Sequence, residues 1–377
     1  MATEEGADMA SQPCSTSRRG LLKAGAAASL LGGMSSCALL PRKSGSSFEP
    51  YVGAVGLPDG RFAISAINAS GEPLWQCPVE TRCHSGCSAP DGRQLIFFER
   101  RPGWSFHVID AHTGERRHHI KAAEGEHFVG HGVFSPDSHY LYATASRYQH
   151  GEGIIAVYDA RQSFQRVDTF NLKGIGPHEL TLHPDGETLI IGLGGILTHP
   201  DYDRIKLNLD TMEPALILME RRSGRTRGRF RPAHHKQSSR HVSVSSEGGV
   251  YVAYQYQGPL HETPPLLARL HQGRLQEFGF DTQTRQSLAN YIASVVAHPE
   301  NNLVAATSPV GGTAIVFHGL TGELLARAPI TDCAGAHALA GGDFMISSGQ
   351  GRLVRLGADN NPRDIAQLPV AWDHHLV

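Results

Sequence analysis

The stretch Gly176-Pro177-His178-Glu179-Leu180-Thr181-Leu182-His183-Pro184-Asp185-Gly186-Glu187-Thr188-Leu189-Ile190-Ile191 decides the fold. A histidine opens a short run, a Pro-Asp-Gly turn ends it, and an apolar run follows. Turn residues between two short β-rich runs read as a hairpin. The phrase recurs along the chain. His84 precedes Pro90-Asp91-Gly92, His131 precedes Pro136-Asp137-Ser138, His241 precedes Glu247-Gly248, and His337 precedes Gly342-Asp343. His374, near the C-terminus, has no such turn after it. The repeat that turns at Pro299-Glu300-Asn301 has Ile292 and Ser294 in place of the histidine.

A second turn alternates with the first. Its members run from Asn68 to Glu72, Asp110 to Glu115, Asp159 to Gln165, Glu220 to Arg225, His271 to Arg274, His318 to Glu323 and Gly357 to Pro362. No stretch of residues 51–377 shows helical periodicity. Repeats of about 40–50 residues with four short strands each mark a β-propeller. The sequence therefore predicts an all-β, seven-bladed propeller over residues 51–377. The first repeat holds three strands, Tyr51 to Gly56, Arg61 to Ile67 and Leu74 to Val79. The C-terminal Trp372-Asp373-His374-His375-Leu376-Val377 is placed to supply the fourth, pairing into the first blade and closing the ring.

Composition bounds the rest. The 377 residues carry a net charge of −2, 40% apolar residues, 42 glycines, 22 prolines and 22 histidines. The near-neutral balance gives no electrostatic case for nucleic acid. The chain is expected to be a monomer. Residues 1–37 read as a targeting segment: Arg18-Arg19, an apolar run from Ala24 to Gly33, then small residues to Cys37. The run is too short to span a membrane, and the twin arginine is that of a Tat leader, so a periplasmic location is expected. Met34-Ser35-Ser36-Cys37 resembles a lipobox, which would make Cys37 a lipid anchor. Residues 38–50 read as a flexible tether. Cys83 and Cys87, four apart on a strand, have α-carbons about 13 Å apart and cannot bridge directly.

Propeller topology sorts the loops. The short recurrent turns share one face. The long loops from Ser146 to Gly153, Gly194 to Ala215 and Gln255 to Pro265 share the other. Variable loops on one rim of a rigid scaffold are where sites usually lie. The blade-opening histidines should lie at the channel mouth on that rim, with His150, His199 and His261 brought towards it. Imidazole ligates Fe, Cu, Ni and Zn. The candidate metal ligands are His84, His131, His178, His199, His241, His337 and His374, with iron or copper as the candidate ion. Glu179, Asp201 or Asp203 could complete a His/carboxylate site. A wet, structural channel mouth and an organic ligand are the competing readings, and Arg204, Lys206, Asn208 and Arg240 are the residues to hold an organic or anionic ligand. His84 and His131 differ by one residue in register, and side-chain direction flips with each residue of a strand.

The Gly-Pro-His-Glu-Leu segment at 176–180, Gly-Gly-Ile-x-Thr-His-Pro-Asp at 194–201, Lys-x-Asn-Leu-x-Thr-Met at 206–212, Ser239-Arg240-His241 and the Tat-type leader resemble an uncharacterised periplasmic propeller family of proteobacteria. This domain-of-unknown-function group is often encoded beside imelysin-like and di-haem peroxidase-like proteins. The resemblance implies an accessory role in the handling of iron or another transition metal, with periplasmic iron-uptake or peroxidase-like proteins as partners. The Gly-x-x-His-x-x-x-x-Pro-Asp-Gly phrase also resembles lactonase-type propellers, in which Glu179, Arg240 and His241 would do acid–base work. No Gly-x-Ser-x-Gly elbow or phosphate loop is present. An interaction scaffold without a small-molecule site is the third reading.

Overall fold

The computed structural model describes residues 50–202 and 205–377. The leader, Cys37, nearly all of the tether, Asp203 and Arg204 lie outside the described residues. Within them the chain forms seven four-stranded antiparallel sheets, arranged as the blades of a propeller. The innermost strands, in blade order, are Ala371–Leu376, Cys83–Ser88, Glu126–Phe134, Pro177–Leu182, Gln237–Val244, Ser294–Ala297 and Cys333–Ala338. These strands touch their neighbours in sequence around the axis.

The predicted ring closure is present. The C-terminal strand pairs with Tyr51–Gly56, with Val55 opposite Trp372 and Gly56 opposite Ala371. Val52 and Val377 exchange backbone hydrogen bonds of 2.9 and 2.8 Å. Gly53 permits the joint: a Cβ there would meet the Trp372 ring at 2.9 Å.

The middle strands are apolar without alternation because both faces of every blade are covered. Thr188–Leu193 is buried at every position. Distinct apolar clusters fill the spaces between blades. One joins Ile64 and Trp75 of blade one to Phe97 and Ile109 of blade two. Another joins Val316 and Ala328 of blade six to Phe344 and Val354 of blade seven.

A short helix, Thr282–Ser287, interrupts the connection between blades five and six. Six residues are too few to show a helical period. Its start is set by Asp281, whose carboxylate accepts from the Thr284 N–H at 2.9 Å and from the Thr284 hydroxyl at 2.8 Å, a conventional N-cap arrangement. Among the described residues no disulfide forms: Cys77, Cys83, Cys87 and Cys333 are all thiols.

Candidate metal centre

Five imidazoles converge at the channel mouth, and β-bulges put them there. A bulge inserts one residue, bends the strand and re-aims a side chain. The pairing of the innermost strand slips between Cys83 and Ser85, between Phe128 and Gly132, between Pro177 and Leu180, and between Ser239 and His241. These slips bracket or adjoin His84, His131, His178 and His241. The turn after each innermost strand is closed by the N–H of Ala89, Ser135, His183 and Ser245 respectively. Counting back from those residues, His84 and His178 stand five positions away and His131 and His241 four. In regular strands that offset would send the rings to opposite faces. The bulges absorb it.

The fifth imidazole is His375. Ring centroids separate His375 from His84 by 4.9 Å, from His131 by 4.7 Å and from His241 by 5.0 Å. His131 lies 4.9 Å from His178 and 5.1 Å from His84, and His178 lies 4.8 Å from His241. Two triads, His84–His131–His178 and His131–His241–His375, each bring one ligand atom per residue within 4.8 Å of the others. His131 belongs to both. Close packing of this kind needs a missing side chain beside it: Gly130 has φ +112°, and a Cβ there would strike the His84 ring at 2.7 Å.

The donor atoms are poised. His84 Nδ1 donates to Asp373 Oδ1 at 3.0 Å. His241 Nδ1 lies 3.0 Å from Glu179 Oε2, which also accepts from the Val242 N–H at 3.1 Å. A carboxylate on one ring nitrogen fixes the tautomer and presents the other nitrogen, the usual support of a metal-bound histidine. His131 Nε2, His178 Nδ1 and His375 Nε2 are buried with no hydrogen-bond partner. Buried polar atoms left unpaired cost free energy, so a ligand for these three nitrogens would remove a penalty. Burial also pushes His131, His178, His241 and His375 well below the usual imidazole range, and lowers His84 against the opposing bond to Asp373. The rings are held neutral, the form that binds metal.

The two supporting carboxyls differ. Burial alone would raise the Asp373 carboxyl; the hydrogen bond from His84 and the charge of Arg100 outweigh it and hold it well below the carboxylate range. Arg82 Nε and Arg100 Nη1 both donate to its Oδ2, at 2.5 and 3.2 Å. Among the described residues Glu179 has no such cation beside it, and burial pushes it up to about 8. A metal ion on His241 would favour its ionised form.

The remaining predicted residues fall in three places. His374 lines the mouth beside His84 and Tyr291, and groups with His84 and Asp373. Arg240 and Lys206 line the same cavity. His337, His199 and Asn208 stand apart from the cluster. His337 sits only two positions before Leu339, whose N–H closes its turn, and so lies farther down the channel wall. Its Nδ1 donates to the Ala338 carbonyl and its ring packs edge-on against Tyr51. His199 accepts from the Asp201 N–H and packs against Tyr148 and Tyr202. Asn208 braces its own loop: its Oδ1 accepts from the Leu197 N–H at 2.7 Å, and its Nδ2 donates to the Gly195 carbonyl at 2.9 Å. That brace carries Lys206 to the mouth.

Sequence reasoning missed His375, Asp373, Arg100 and Arg101. The tandem His374-His375 was the available signal for the first. A further grouping, Glu99–His107–His119, lies within blade two. There the Glu99 carboxylate already accepts from Thr81, Trp104 and Ser105. The two rings stack at 13° to each other, so their in-plane lone pairs do not converge.

A family model described as a protein of unknown function, DUF1513, matches residues 77–377. The chain belongs to the DUF1513 family. The match spans blades two to seven, the closing strand and every residue of the imidazole cluster. No curated protein matches. Among solved structures, the hydrazine synthase of Kuenenia stuttgartiensis is similar, with a TM-score of 0.53 and 17% identity over 73% of this chain and 76% of that one. At that identity the likeness is one of fold.

Proposed function

We propose that this propeller binds a divalent transition-metal ion in the channel mouth, through His131, His241 and His375, with His84 and His178 adjoining. The observation that carries the reading is the pair of buried, unpartnered Nε2 atoms of His131 and His375, beside a His241 whose Nδ1 is engaged by Glu179. An all-imidazole set suits copper, zinc, nickel or ferrous iron, and not calcium or magnesium. The twin-arginine leader and the lipobox-like Cys37 fit a periplasmic accessory protein that handles iron or copper for an uptake or peroxidase-like partner.

The test is metal content. Protein exported through its own leader is stripped on a chelating resin, then loaded separately with Cu²⁺, Zn²⁺ and Fe²⁺ and dialysed. One tightly held equivalent is expected for at least one ion. His131→Ala should abolish it and His337→Ala should leave it intact. Substoichiometric metal in the wild type, unchanged by His131→Ala, contradicts the reading.

A second reading draws on one observation. A carboxyl at about 8 in contact with a neutral imidazole is the kind of pair that does acid–base work, so Glu179, His241 and Arg240 would serve a lactonase-type hydrolase. A lactone and ester screen with activity lost in Glu179→Gln would favour it over metal binding alone.

A further inference from the structure

Above the imidazoles lies a cavity of about 190 Å³, lined in part by Arg100, Arg101, Lys206, Arg240, Gln255 and Tyr291. Four of its lining side chains are cationic, and no carboxylate of the described residues lines it. Asp373, just behind the lining, takes up Arg100. Arg101, Lys206 and Arg240 line the same partly enclosed space. Arg240 Nε is buried with no hydrogen-bond partner, and Lys206 Nζ donates to Gln257, a neutral group. The cations crowd one another as well. Burial, then the charges of Arg240 and Arg101, lowers Lys206. Like charges held together with their water partly removed are costly unless an anion joins them.

We propose that this cavity binds a small polyvalent oxyanion, a polycarboxylate or a phosphate, held by Arg240, Lys206 and Arg101 directly over the imidazole cluster. Guanidinium groups match carboxylate and phosphate oxygens in bidentate geometry. The low-dielectric wall of the channel focuses the positive field on the mouth. Gln255 and Tyr291 add uncharged polar groups at the edge. The volume exceeds that of a single phosphate and suits a di- or tricarboxylate. The anion would lie next to the proposed metal, so the two would bind as a chelate. That chelate rests on the metal reading. The anion site itself does not.

Calorimetric titration of the resin-stripped, metal-free protein with citrate and with inorganic phosphate, at low and high salt, tests the site. Saturable binding of at least one anion is expected, with citrate the tighter, and it should weaken as salt rises. Arg240→Gln should weaken binding at least 10-fold. Lys206→Gln, on an exposed loop, should weaken it several-fold and serves as the second probe should Arg240→Gln fold poorly. Tighter phosphate would name phosphate as the natural chemistry. His337→Ala, farther down the channel wall, should leave anion binding unchanged, and the use of metal-free protein separates this site from the metal site. No heat with either anion up to millimolar concentration, or binding indifferent to both variants, overturns the proposal.

Discussion

Glu179 and Asp373 do the same geometric work with opposite electrostatics. Each occupies one ring nitrogen of a cluster histidine, but only Asp373 is flanked by arginines. Removing a supporting carboxylate typically costs about 10–100-fold in metal affinity. Glu179→Gln should fall in that range, measured by competition with a chromophoric chelator, and Glu300→Gln, outside the cluster, should cost nothing. An unchanged affinity in Glu179→Gln would mean that His241 is not a ligand. His107 makes a different case at the same scale. It is fully buried, neither ring nitrogen has a partner, and burial with the charges of His119 and Arg116 pushes it down to about 4. The unfolded chain binds this proton near pH 6.5 and the folded chain does not until about pH 4. Stability is therefore lost as pH falls through that window, by on the order of 3 kcal/mol. His107→Leu should lose less stability between pH 6.5 and 4 than the wild type, in parallel denaturant titrations. Parallel curves would contradict the assignment.

Among elements, the bulged innermost strands decide what the histidines do. The phrase repeated from His84 to His241 was legible, and it placed four of the five cluster rings on the correct strands. The bulges were not legible, because an inserted residue leaves no composition signal and appears only in pairing. The same limit explains His374 and His375. Both lie on the closing strand, whose pairing slips between Trp372 and Leu376, and that slip decides which ring joins His131. His337 shows the converse, a histidine with the right neighbours but set too close to its turn. The closing strand carries both His375 and Asp373, so its anchorage should matter to the metal. Trp372 is 2% exposed and packs on Gly53. Trp372→Ala should cost about 3–5 kcal/mol of stability and weaken metal binding too. Trp75→Ala, equally buried on the outer strand of blade one, should cost a similar amount of stability and leave metal affinity unchanged. Equal effects of the two variants on the metal would mean that the closing strand has no special part in the site.

At the scale of the whole molecule, seven rigid blades bring residues 84, 131, 178, 241 and 375 to one point. Sequence separations of up to 291 residues are crossed at this mouth, as the contact of Arg82 with Asp373 shows. Ring closure was legible because the first repeat lacked a strand and the C-terminus supplied a candidate. The cationic collar was only half legible. Lys206 and Arg240 stood in quotable motifs, while Arg101 sits in the turn between the second and third strands of blade two with no motif around it. The geometry divides the mouth into two tiers, neutral imidazoles below and cations above. The most direct test of this arrangement is an anomalous difference map from crystals of metal-loaded protein, collected at the absorption edge of the bound ion. One peak is expected at about 2.0–2.2 Å from nitrogens of His131, His241 and His375. A map with no peak there, or with its strongest peak at His337 or His199, would contradict it.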